Sequence, residues 1–158
     1  MEKLIQLYLE KAENELVLAE SLFKISGDSL IKEKLEVDLR ETFYSAVITH
    51  SYYCIFYCAK AVLLLKGIKT KAPNEHKKTY NEFKKLIGFI DGVLFEIYES
   101  ESLKAGVLLK IFFDEKKKRG EFTYKTLPQA NIQPAKESLE NAGKFFKNIN
   151  NLIKNYGK

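Results

Sequence analysis

The sequence predicts an all-α protein, an antiparallel up-and-down bundle of four to five helices. Apolar residues recur at steps of three and four along most of the chain, and no segment alternates with the period of two that a half-buried strand needs. Only three prolines and eight glycines punctuate the 158 residues, which leaves little room for long linkers or disordered segments. With 46% hydrophobic and 30% charged residues, the chain is long enough to bury one core without disulfides or a structural metal, so residues 1–158 read as a single domain.

The first helix follows Ile5, Leu9, Ala12, Leu16, Ala19 and Phe23 and ends near Gly27. The second runs along Leu39, Phe43, Ala46, His50, Tyr53, Tyr57, Ala61 and Leu64 until Gly67 stops it. Its other faces are also largely apolar, which predicts a central helix contacted from several sides. The uncharged run from Thr42 to Ala59 approaches the length of a membrane span, but it carries His50, two threonines, two serines and four tyrosines. It reads as a buried bundle helix. Its tyrosines and phenylalanines exceed what one small core needs, so a homodimer through this helix or its neighbours is expected.

Pro73 and Asn74 open a third helix with His76, Tyr80, Phe83 and Ile87 on one face. Residues 88–101 either extend it or form a separate short helix. A fourth helix spans about residues 102–118, with Leu103, Val107, Ile111 and Phe112 directed inward. The fifth begins with Pro134 in its first turn and buries Ala135, Leu139, Ala142, Phe146, Ile149 and Ile153.

The net charge of +5 is unevenly spread. Residues 1–65 sum to −3, residues 66–85 to +5 and residues 114–125 to +2. Two basic zones therefore stand apart, a distribution that attracts phosphate polyanions and also suits ordinary solubility. Cys54 and Cys58 lie on one helical face without further ligands nearby, which predicts buried thiols and a reducing, cytoplasmic setting. The amino-terminal residues lack a signal-peptide core, and no membrane association is expected. No zinc spacing, phosphate-binding glycine loop or nucleophile elbow is present, so neither a metal nor a cofactor is expected.

Chemistry then rests on histidine, arginine and tyrosine. The chain has 24 lysines but only two arginines, Arg40 and Arg119. Arginine in so lysine-rich a chain suggests a need for its planar fork, which grips phosphate or carboxylate through two bonds. The alternative for Arg119 is an intrahelical ion pair with Glu115, four residues before it, at a helix end where cations suit the dipole. His50, on an apolar stripe, reads as a core residue with one hydrogen bond satisfied. His76 lies near a helix start among lysines. Both influences favour its neutral form, suited either to packing or to work as a base.

The segments "FYSAVITHSYYCIFYCAKAVLLLKGI", "NEHKKTYNEF", "KKKRGEFTY" and "ANIQPAKESLENAGKFF" together resemble the HEPN domain, in order and spacing, over about residues 2–154. The resemblance is to small prokaryotic members with an aromatic central helix, a histidine after a glycine-containing loop and a late arginine-to-tyrosine motif. It implies an up-and-down bundle that dimerises around a cleft. It also implies binding of RNA or nucleotides, with a minimal nucleotidyltransferase as partner in a toxin–antitoxin-like system. Many relatives are metal-independent endoribonucleases. In their motif an arginine holds the scissile phosphate, and a histidine that follows after four to six intervening residues acts on the ribose 2′-hydroxyl.

Arg119 matches the motif arginine, but Tyr124 stands at the histidine position. A tyrosine with a pKa of about 10 donates a hydrogen bond and is a poor base near neutrality. The resemblance therefore implies a binding module that contacts phosphate through Arg119, Lys116, Lys117, Lys118, His76 and Lys77. The alternative is an endoribonuclease in which Arg119 works with a histidine from outside the motif, His50 or His76, and with Tyr124.

Overall fold

The computed structural model describes residues 2–91, 105–124 and 131–156, and within the second stretch the side chains of 106–122. The helices are α1 (Glu2–Gly27), α2 (Ser29–Lys34), α3 (Tyr44–Leu65), α4 (Glu75–Lys85), α5 (Ala105–Tyr124) and α6 (Ile132–Asn155). One more helical turn covers residues 87–91, and no strand occurs among the described residues.

The clusters of the core fix the helix directions. Ala19 of α1 packs with Tyr44, Val47 and Ile48 at the start of α3, whereas Ile5 and Leu9 pack with Ala61 and Leu64 at its end. The two helices are therefore antiparallel. α5 also runs against α3, because Phe112 meets Tyr52 while the Phe122 carbonyl accepts a bond from Ser45 Oγ at 3.1 Å. α6 returns alongside, with Ala135 in the Tyr44–Val47–Ile48 cluster and Ile153 beside the Ile5–Leu9 cluster. This is the antiparallel up-and-down bundle that the periodicity predicts.

α3 is the axis of the molecule, contacted by α1, α4, α5 and α6. By length and composition it could cross a membrane, but 72% of its most apolar window is buried by the other helices. It is a core helix. Cys54 and Cys58 are free and buried on it, and burial pushes the Cys58 thiol well up. Phe83, Phe112 and Phe145, all fully buried, join α4, α5 and α6 beside it. Each such ring contributes about 1.5–3 kcal/mol of burial free energy.

Capping explains the breaks. α1 stops at Gly27, and Asp28 accepts bonds from the Leu30 and Ile31 amides at 2.9 and 3.1 Å to start α2. Ser26 Oγ then accepts the Phe43 amide at 2.7 Å, tying the end of α1 to the start of α3. Gly67, with φ of 69°, turns the chain out of α3 in a conformation that a Cβ would strain.

Several sequence expectations shift. Leu39 is 55% exposed and α3 begins only at Tyr44, because the short α2, not expected from periodicity, intervenes. α5 continues to Tyr124, so the basic run lies inside a helix rather than at its end. Val107 is 44% exposed, while Leu108, Ile111, Phe112 and Glu115 are the buried stripe. In α6 the fully buried positions are Ala135, Ser138, Ala142, Phe145, Ile149 and Leu152, with Leu139, Phe146 and Ile153 at the flank. Both phase errors have one cause: a polar residue, Glu115 or Ser138, occupies an inward position. Leu103 and residues 92–104 lie outside the described residues.

Candidate functional site

Adjacent residues on a helix diverge by about 100°, so Tyr52 and Tyr53 of α3 take different roles. Tyr52 is fully buried, and Tyr53 is half-buried at the edge of the core. Arg119 of α5 lies over both rings, its Cζ 5.2 Å from the Tyr52 centroid and 5.1 Å from that of Tyr53. One Nη donates to the Tyr53 hydroxyl at 3.4 Å, the long limit of such bonds. The Arg119 Nε is buried with no hydrogen-bond partner.

The ion pair with Glu115 expected as one reading of Arg119 does not form. Glu115 is fully buried and faces α6, where it accepts from Ser138 Oγ at 2.5 Å and Asn141 Nδ2 at 2.9 Å. Its cationic partner is Lys118, at 3.0 Å, which also lies 3.8 Å from Glu137. Among the described residues no carboxylate pairs with Arg119. Arg40 differs, being exposed and held by Asp38 through two side-chain bonds of 3.1 and 3.0 Å.

His76, in the first turn of α4, packs against the same two rings from a second element. Its ring centroid lies 5.5 Å from Tyr52, 5.8 Å from Tyr53 and 4.2 Å from Phe56. Its Nδ1 is 2.8 Å from the Tyr52 hydroxyl. Burial, reinforced by the positive charge of Arg119, holds the His76 pKa below its ordinary value. Lys116 and Lys60 push in the same direction, and Glu75 opposes them. Burial pushes the Tyr52 hydroxyl far up, with Arg119 opposing. Both groups are therefore neutral near pH 7, and their mutual bond occupies Nδ1. That leaves Nε2 of His76 for a ligand, as donor or acceptor according to the tautomer.

The other expected site residues are distributed around this centre. Lys116 lies with its Nζ 5.6 Å from the Tyr80 centroid, on the same side of α5 as Arg119. Lys117 and Lys77 are exposed. Lys118 turns toward α6 and serves Glu115. His50 is bonded through Nδ1 to Glu15 of α1 at 2.6 Å, both side chains being about one-quarter exposed. The histidine that joins Arg119 is thus His76. The Tyr124 side chain lies outside the described residues.

Two features were not singled out from sequence. Tyr52 and Tyr53 form the walls of the site, foreshadowed only by the excess of aromatic residues on α3. Lys60 and Glu75 pair beside His76, with Lys60 Nζ 4.6 Å from the Tyr8 centroid and 5.6 Å from that of Phe56. No group of three or more metal-ligating side chains occurs among the described residues. The arrangement can hold an oxyanion: a fixed, delocalised cation, a flexible one at Lys116, and a neutral imidazole bordering both.

A family model described as HEPN domain matches residues 19–152, a span that includes every residue of this centre. No curated protein and no solved structure matches the chain.

Proposed function

The chain belongs to the HEPN domain family, and from that premise we propose that it is an RNA- or nucleotide-binding module whose phosphate contact is Arg119. Membership itself supports a nucleotide- or RNA-related module. The observation that carries the finer reading is the state of the Arg119 guanidinium, which is clamped over two tyrosine rings with a buried, unpartnered Nε and, among the described residues, no carboxylate partner. Arginine does not shed its charge, so a half-buried guanidinium without a counter-ion is costly unless an anion comes to it. A phosphate accepting two of its bonds would supply that anion, with Lys116 as a second, longer-range contact. Titration of labelled single-stranded RNA and of free nucleotides at two salt concentrations tests this. Salt-dependent binding is expected, and no binding even at low salt would overturn it.

The module is proposed to work as a cytoplasmic homodimer, with a nucleotidyltransferase partner in a toxin–antitoxin-like pair. The half-buried tyrosines of α3 and the basic segment 66–85 support such contacts, the latter facing an acidic surface. Co-purification of the tagged chain from its native host would recover that partner, and a monomer isolated alone would oppose both parts of the proposal.

A second reading, a metal-independent endoribonuclease, is favoured by His76 beside Arg119. Neutral His76 would take the proton of the ribose 2′-hydroxyl as that oxygen attacks phosphorus. The bond from phosphorus to the 5′-oxygen breaks, the leaving oxygen takes a proton from solvent, and Arg119 stabilises the charge that develops on the phosphoryl oxygens. This reading requires cleavage that resists EDTA, leaves 2′,3′-cyclic phosphate ends and disappears in Arg119→Ala and His76→Ala. Cleavage unchanged in either variant would exclude it.

A further inference from the structure

The Lys60–Glu75 pair also lines a cavity of about 440 Å³ whose lining includes neither His76 nor Arg119. It is formed where α1 and the end of α3 meet the loop that leads into α4. Leu4, Leu63, Leu64 and Ile68 give it an apolar wall, and Tyr8 contributes a ring. Three lysines stand on it, Lys60, Lys69 and Lys71, against one carboxylate, Glu75, which is already paired with Lys60. Lys69 and Lys71 are exposed, and neither has a carboxylate partner among the described residues.

The loop side of this cavity is fastened rather than loose. Thr70 and Thr79 share a buried hydroxyl bond of 2.7 Å, which ties the loop to α4. The Gly67 and Ile68 amides donate to the Leu64 and Leu63 carbonyls, each at 3.0 Å, holding the loop to α3. A preformed cavity of this size falls in the range of about 300–1,000 Å³ typical of small-ligand sites. Its chemistry is two-sided. The leucines and Tyr8 suit a flat apolar ring, and unpaired lysines at the margin suit an anion. A duplex or a folded protein surface does not enter a cavity so small, whereas a mononucleotide fits its volume.

We infer that this cavity is a second ligand site, taking a small phosphorylated molecule with a flat aromatic ring, a nucleoside monophosphate in the simplest case. The ring lies against Tyr8 and the apolar wall, and the phosphate meets Lys69 and Lys71. The site does not depend on Arg119, so it stands or falls separately from the phosphate contact proposed above.

Calorimetric titration of the full chain with adenosine 5′-monophosphate tests it, with adenosine and inorganic phosphate as separate ligands. Saturable binding of the monophosphate is expected, at least about tenfold tighter than either half alone. In the Arg119→Ala background, which removes the phosphate contact proposed above, saturable monophosphate binding should persist, and adding Lys69→Glu with Lys71→Glu should weaken it by about tenfold or more. Both lysines are exposed, so the charge reversal should keep the helical circular dichroism of the parent. Absence of binding, binding indifferent to the charge reversal, or binding lost in Arg119→Ala would each overturn the inference. The last outcome would assign the ligand to the Arg119 site instead.

Discussion

Arg119 and His76 share two tyrosine rings, and that sharing couples their chemistry. The guanidinium helps to keep the imidazole neutral, and the Tyr52 hydroxyl engages its Nδ1. Because the folded-state pKa of His76 lies below its ordinary value of 6.5, the unfolded chain takes up this proton first as the pH falls. The contribution of His76 to stability is therefore full above the unfolded pKa and declines as the pH drops below it, levelling off beneath the folded value. Urea midpoints measured between pH 7.5 and 5 should fall, and the His76→Gln variant should show a shallower decline over that window. Equal slopes would contradict the coupling. A bound phosphate reverses the local balance by favouring the imidazolium, so phosphate affinity should rise as the pH falls through the same window.

Tyr52→Phe separates the ring from the hydroxyl. The face that Arg119 lies over remains, while Nδ1 of His76 loses its partner. A loss of about 1 kcal/mol is expected, or a fall in Tm of about 2–4 °C for a chain of this size. Thermal denaturation followed by circular dichroism would measure it, and an unchanged Tm would show that the bond is dispensable. Arg119 and His76 were both legible as candidates in the sequence, one from the scarcity of arginine and one from its place at a helix start. Their meeting was not legible, because it depends on how α4 and α5 dock against α3.

At the scale of the element, α5 carries two kinds of charge on two sides. Glu115 and Lys118 face α6, and Lys116 and Arg119 face α3 and α4. The inward carboxylate fixes the rotation of the helix by bonding Ser138, Asn141 and Lys118 at once. Glu115→Ala leaves these donors without their acceptor in a buried place, at a cost of about 3–5 kcal/mol. Asp114→Ala, one residue away, removes only the exposed pair with Lys110 and should cost less than about 1 kcal/mol. Chemical denaturation of the two variants checks the contrast, and similar losses would contradict a positioning role for Glu115. The same residue explains why the sequence misplaced the phase of α5. Periodicity assigns carboxylates to solvent, and nothing local announces a buried carboxylate whose partners Ser138 and Asn141 come from another helix.

For the whole molecule, the period of three and four was enough to give the fold class, the central place of α3 and the reversal of direction between successive long helices. It could not give α2, whose start depends on the Asp28 cap, or the polar contact between α5 and α6. The bundle brings the basic run of α5 and the start of α4 to one margin of the aromatic core, so residues distant in sequence share a site. Arg119 is the residue on which the proposed phosphate contact rests. The most direct measurement is the affinity of single-stranded RNA for the parent chain, Arg119→Ala and Arg119→Lys, at low and moderate salt. Loss of at least about tenfold in Arg119→Ala, partial recovery in Arg119→Lys and a shallower salt dependence in the alanine variant are expected. Equal affinities and equal salt slopes in all three proteins would contradict a phosphate site at Arg119.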